Sequence, residues 1–83
     1  MLKRKFERAS KRVWNLTEKP SNGTLLRLYA LYKQATQGDV DGRKPYSKGQ
    51  KAIAKWNAWF GVKGTGSEDA MKSYIELVDS LLA

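Results

Sequence analysis

Thr24-Leu25-Leu26-Arg27-Leu28-Tyr29-Ala30-Leu31-Tyr32-Lys33-Gln34-Ala35-Thr36-Gln37 reads as a helix that is apolar nearly all the way round. Leu25, Leu28, Tyr32 and Ala35 recur at spacings of three and four and share one face. Leu26, Tyr29 and Ala30 turn toward a second side and Leu31 toward a third, which leaves Arg27 and Gln34 as the polar outward positions. A helix with so little polar surface needs more than one packing neighbour, and its spare surface is available to another helix or to a ligand. Ser21 or Asn22 is placed to cap its start.

Upstream, Leu2, Phe6, Ala9, Val13 and Leu16 form one apolar stripe at helical spacing, with Arg4, Arg8, Lys11 and Arg12 on the opposite side. Lys19-Pro20-Ser21-Asn22-Gly23 breaks the pattern with turn residues. Downstream, Gly38 to Gly49 reads as a loop, because Pro45 forbids a simple helix through it. A loop of about a dozen residues is longer than most helix connections and implies a crossing from one end of a bundle to the other. A third helix is expected from about Lys51 to Val62, with Ala52, Ile53, Trp56, Trp59 and Phe60 apolar and Gly64 ending it. Thr65-x-x-Glu68 has the form of a capping box, and Glu68 and Asp69 suit the positive end of a helix dipole. The fourth helix then carries Ala70, Met71, Tyr74, Ile75, Val78, Leu81 and Leu82. No repeat or β-like alternation interrupts the series, so the fold class is all-α, a four-helix bundle with a long connection between helices 2 and 3.

The 83 residues suffice for one small domain whose core is near the lower limit for independent stability. Cysteine and histidine are both absent, which removes disulfides, thiolate metal sites and the commonest general acid–base group. No apolar run approaches the roughly 18 residues of a membrane span. The basic start Met1-Leu2-Lys3-Arg4-Lys5 is not followed by the apolar core of a signal peptide, and a cytoplasmic location is expected. A net charge of +8, from 16 basic and 8 acidic residues, favours a polyanionic partner: a nucleotide, a nucleic acid or an anionic membrane.

Catalytic equipment is sparse. Glu76 and Asp79 lie three apart on a helix, but solvated surface acids account for them, and no enzyme activity is expected. Gly64-Thr65-Gly66-Ser67 lacks the form of a phosphate loop. Tyr29, Tyr32, Lys33, Lys55 and Tyr74 are the sharp constellation. Two readings of it stand side by side. The tyrosines are core-edge residues with solvated lysines nearby, or phenol rings that stack on a purine while ammonium groups neutralise phosphates.

Tyr32-Lys33-Gln34-Ala35-Thr36-Gln37-Gly38-Asp39 resembles the signature of the acyl-coenzyme A binding protein family. Lys55-Trp56-Asn57-Ala58-Trp59, Lys63-Gly64-Thr65, Glu68-Asp69-Ala70-Met71-Lys72 and Tyr74-Ile75 resemble further blocks of it, over a stretch from Phe6 to about Val78. The resemblance implies an up-down-down-up course with an overhand crossing, and a single acyl-coenzyme A (acyl-CoA) binding domain over residues 1–83. It assigns Tyr29, Tyr32, Lys33, Lys55 and Tyr74 to the adenine and 3′-phosphate of coenzyme A, with Ala9 bringing backbone close to the adenine. For the acyl tail it points to Leu25, Leu26, Gln50, Ile53 and Trp56. Gln50 departs from the aromatic usual in the family, Ala52 and Ile53 replace a common Gly-Lys pair, and Trp14 stands where a polar or basic residue is more frequent. The implied function is non-enzymatic binding, buffering and transport of medium- to long-chain acyl-CoA by a monomer. No cofactor is expected beyond this ligand. The basic first helix implies weak attraction to anionic membranes. The alternative is a basic nucleic-acid-binding or membrane-surface module built on that helix; no nucleic-acid partner is expected.

Overall fold

The computed structural model describes every residue from Met1 to Ala83. Four helices account for the chain and no strand is present: α1 (Leu2–Arg12), α2 (Asn22–Gln37), α3 (Gln50–Phe60) and α4 (Ser67–Leu82). They form an up-down-down-up bundle in which the long connection crosses between α2 and α3. That connection includes one short 3-10 turn, Tyr46–Lys48, directly after Pro45.

The helices lie side by side in the spatial order α1, α4, α2, α3, because α1 packs on α4, α4 on α2, and α2 on α3. The Cα envelope is correspondingly thin, 37 × 28 × 15 Å. This order explains why α2 is apolar on so many sides, since it has a helix on each flank. The fully buried cluster joins Phe6 and Ala9 of α1, Leu28, Leu31 and Ala35 of α2, and Ala70, Tyr74 and Val78 of α4. Fully burying one side chain of the Val or Leu kind contributes about 1.5–3 kcal/mol. By contrast α3, at the edge, has no fully buried residue.

Several local expectations are corrected. Gln34 is not an outward residue but is only 1% exposed. Its amide Nε2 donates to Asp39 Oδ1 and to the Thr65 carbonyl, both at 2.8 Å, so it bridges the end of α2 to the α3–α4 connection. The capping box at Thr65 and Glu68 does not form. Gly66 is the N-cap of α4, without a side-chain bond, and Ser67 Oγ instead donates across to the Ala35 carbonyl at 2.7 Å. Glu68 and Asp69 do occupy the first turn, where the helix dipole favours them. For α2 the capping residue is Ser21, whose Oγ accepts from the Thr24 N–H at 3.2 Å.

The first helix does not run evenly to Leu16. It tightens into a 3-10 turn over Val13–Asn15, and Leu16 leaves it in extended conformation, half-buried rather than in the core. Trp59 is also only half-buried, and Phe60 is exposed, as follows from the edge position of α3. The Trp59 indole N–H donates to the Gly38 carbonyl at 2.8 Å. Gly38 holds φ 83° and ψ −152°, a conformation open essentially to glycine alone.

Candidate functional site: a groove between the first and second helices

Because α4 lies between them, the backbones of α1 and α2 stand clear of each other. The space left over α4 is a groove of about 920 Å³. Val13 and Trp14 form one wall, Leu25, Leu28, Tyr29 and Tyr32 the other, and Tyr74 of α4 and Lys55 of α3 also line it. Lys11, Glu18, Lys19 and Pro20 border it, so the segment after α1 folds back along the groove.

Three rings hold the two walls at a fixed spacing. Phe6 stacks on Tyr32 with centroids 5.5 Å apart, and Tyr74 meets Phe6 edge-on at 5.1 Å. Tyr32 and Tyr74 are 6.0 Å apart. Such pairs contribute about 0.5–1.5 kcal/mol each beyond their buried area. Burial pushes the Tyr74 phenol above its ordinary pKa, with the neighbouring Tyr32 adding to the effect. It therefore stays a neutral O–H donor at physiological pH.

Tyr29 carries the electrostatic feature of the site. The Lys33 ammonium lies 5.8 Å and the Lys55 ammonium 5.4 Å from its ring centroid. Lys33 is also 5.7 Å from the Trp59 ring. The only ion pair in the molecule joins Arg12 to Asp79 at 3.0 Å, so neither lysine is neutralised by a carboxylate. Two unneutralised cations around one phenol form a place for an anion, and the ring offers a flat surface beside it. Leu25 and Leu28 continue the same wall as apolar surface. The groove thus presents cations next to an oily strip.

Of the residues expected at the site, Leu25, Tyr29, Tyr32, Lys55 and Tyr74 line this groove together, and Lys33 stands beside it. Ala9 is buried beneath the α1 wall, where its neighbours Ser10 and Lys11 reach the groove surface. Leu26, Ile53 and Trp56 are half-buried and lie outside the groove lining, while Gln50 is exposed as the first residue of α3. Trp56 stacks on Phe60 at 5.2 Å, and its indole N–H is buried without a partner. Ser10, Lys11, Lys19 and Pro20 were not singled out for the groove by sequence reasoning. The fold-back of the Lys19–Pro20 segment is a tertiary contact without a local signature. Trp14 carried a signal, an indole outside the apolar stripe, and it lies at the groove wall.

The groove offers no Cys or His, and Asp79, three residues after Glu76, is an exposed surface acid paired with Arg12. No three His, Cys, Asp or Glu side chains gather as a metal site, and no helix is long and apolar enough to cross a membrane.

The family model for acyl CoA binding protein matches residues 3–78. An acyl-CoA-binding protein of Saccharomyces cerevisiae is 52% identical over 83 residues, covering 100% of this chain and 95% of the relative. An acyl-CoA-binding protein of Dictyostelium discoideum is 47% identical over 76 residues, covering 92% of this chain and 90% of that protein. Among solved structures, the crystal structure of Oryza sativa acyl-CoA-binding protein 2 superposes with a TM-score of 0.93 at 40% identity, over 99% of this chain and 91% of that one.

Proposed function

The chain belongs to the acyl-CoA binding protein family, and from that premise we propose that it is a non-enzymatic carrier that binds, buffers and transports fatty acyl-CoA thioesters. The observation that carries this reading is the Tyr29 ring flanked by the unneutralised ammonium groups of Lys33 and Lys55, on a wall that continues into Leu25 and Leu28. Tyr29, Tyr32 and Tyr74 take the adenine, Lys33 and Lys55 take the 3′-phosphate, and Ala9 lets the first helix lie close to the base. The tail passes Leu25 and Leu26 toward Ile53, Trp56 and Gln50 on α3. Each methylene removed from water contributes about 0.8 kcal/mol, so ten give roughly 8 kcal/mol before ordering costs. The tail supplies much of the affinity and the head group much of the specificity.

The carrier works as a cytoplasmic monomer on medium- to long-chain thioesters, without a further cofactor and without nucleic acid. Its basic first helix gives it weak contact with anionic membranes. Titration calorimetry with hexadecanoyl-CoA, coenzyme A and hexadecanoate tests the reading. One thioester is expected per chain, bound far more tightly than either fragment. Equal affinity for the free acid overturns the head-group assignment.

A further inference from the structure

Arg4, Arg8 and Lys11 follow one another at spacings of four and three along α1, and Trp14 comes three residues after Lys11 in the 3-10 turn. All four are exposed, Trp14 to 85%. Helical spacing sets them in one row, away from the Phe6–Ala9 stripe that faces α4. Arg12 does not belong to this row, since its guanidinium is tied to Asp79 of α4. Glu7 is the only acid on α1, and none of the row's cations has a carboxylate partner. The helix on which α1 rests carries four acids, Glu68, Asp69, Glu76 and Asp79. Positive charge therefore faces outward along α1, and much of the negative charge lies on the helix behind it.

We propose that this row is a docking face for an anionic lipid bilayer, with Arg4, Arg8 and Lys11 on the headgroups and the Trp14 indole seated in the interfacial layer. Charge complementarity supplies the attraction, at a modest level that salt screens. Indoles favour this layer because one edge is apolar and the N–H stays hydrated. Trp14 also forms part of the groove wall that faces Leu25 and Leu28, so docking brings the groove to the bilayer surface, and an amphiphile passes between them with a short path through water.

This docking face rests on the membrane contact proposed above for the carrier, and its test uses the whole chain without ligand, so that a failure here leaves acyl-CoA binding untouched. Sedimentation is measured with phosphatidylcholine vesicles and with mixed phosphatidylcholine–phosphatidylserine vesicles, at low and physiological salt. The wild type is expected to sediment with the mixed vesicles at low salt and not with the neutral ones. The double variant Arg4→Gln, Arg8→Gln should lose partitioning by about fivefold per charge removed, while its acyl-CoA affinity, set by residues outside this pair, is unchanged. Lipids brominated in the upper acyl chain should quench part of the tryptophan emission of wild type, and that part should vanish in Trp14→Ala. Equal sedimentation with neutral vesicles, undiminished partitioning of the Arg4/Arg8 variant, or equal bromolipid quenching with and without Trp14 overturns the proposal. So does displacement from the vesicles by duplex DNA at matched phosphate concentration, which would assign the row to nucleic acid.

Discussion

Tyr29 sits where two lysines from different helices converge, and removing either changes the local charge with little cost to packing. Lys55 is exposed and Lys33 half-exposed, so Lys33→Ala and Lys55→Ala should each shift the melting temperature only slightly. Each should weaken acyl-CoA binding by on the order of 1–3 kcal/mol, the scale of a hydrogen bond to a charged group. Calorimetry with a ligand lacking the 3′-phosphate adds a second check. The wild type should lose affinity for it, whereas the variant whose lysine meets that phosphate should lose little more. Gln50 supports a different expectation. It is exposed at the start of α3, and Gln50→Phe would extend apolar surface along the proposed tail path. A gain of about 1 kcal/mol is expected for long tails, with short tails and coenzyme A alone nearly unchanged. Parallel chain-length profiles from C8 to C20 would take Gln50 out of that path. At this scale the tyrosine and lysine types and spacings were legible in the sequence. That Lys55 shares a site with Tyr29 came only from the family resemblance, since their convergence depends on how α3 lies against α2 and no local spacing encodes it.

The ends of the elements are held together by one polar knot. Asp39 Oδ1 accepts from the Gln34 amide and from the Gly64 N–H, each at 2.8 Å. Gly64, at φ 91°, turns the chain so that this N–H faces the carboxylate. The Gly64 N–H, then the Gln34 amide, hold the Asp39 carboxyl below its ordinary pKa of 3.8, and Lys63 adds to the effect while partial desolvation opposes it. A lowered native pKa means that the stabilising contribution is complete above the unfolded value. It is lost as the pH falls below about 3.8 and through the native value. Urea midpoints measured from pH 5 down to pH 2 should therefore fall more steeply for wild type than for Asp39→Asn. An equal fall would remove Asp39 from the acid response. The knot shows where reading by period reaches its limit. Helix existence and order were legible because apolar spacing is strong in every segment. Gln34 looked solvent-facing because no local pattern announces that a glutamine will bridge a carboxylate and a carbonyl of distant loops. The supposed cap at Thr65 failed for the same reason, with Ser67 turned toward Ala35 across the helix pair.

Across the whole molecule, charge is distributed unevenly. Half of the 8 acids lie on α4, while Lys33 and Lys55 flank the groove and Lys11 and Lys19 border it. An anionic ligand is thus drawn toward the groove before contact. Stopped-flow association rates for acyl-CoA should fall as ionic strength rises, with dissociation rates changing much less. A salt-independent association rate would show that capture proceeds without steering. The thin, side-by-side arrangement of the helices has a further consequence. α3 leans on α2 alone among the helices and contains no fully buried residue, yet it supplies Lys55. Its amide hydrogens should therefore exchange with deuterium sooner than those of α2 and α4, through openings that leave the rest of the fold intact. A ligand that bridges Tyr29 and Lys55 would hold this outer helix shut. Mass spectrometry of deuterium uptake should find slowed exchange in α3 on adding acyl-CoA, so that part of the binding free energy appears as order in the outermost helix.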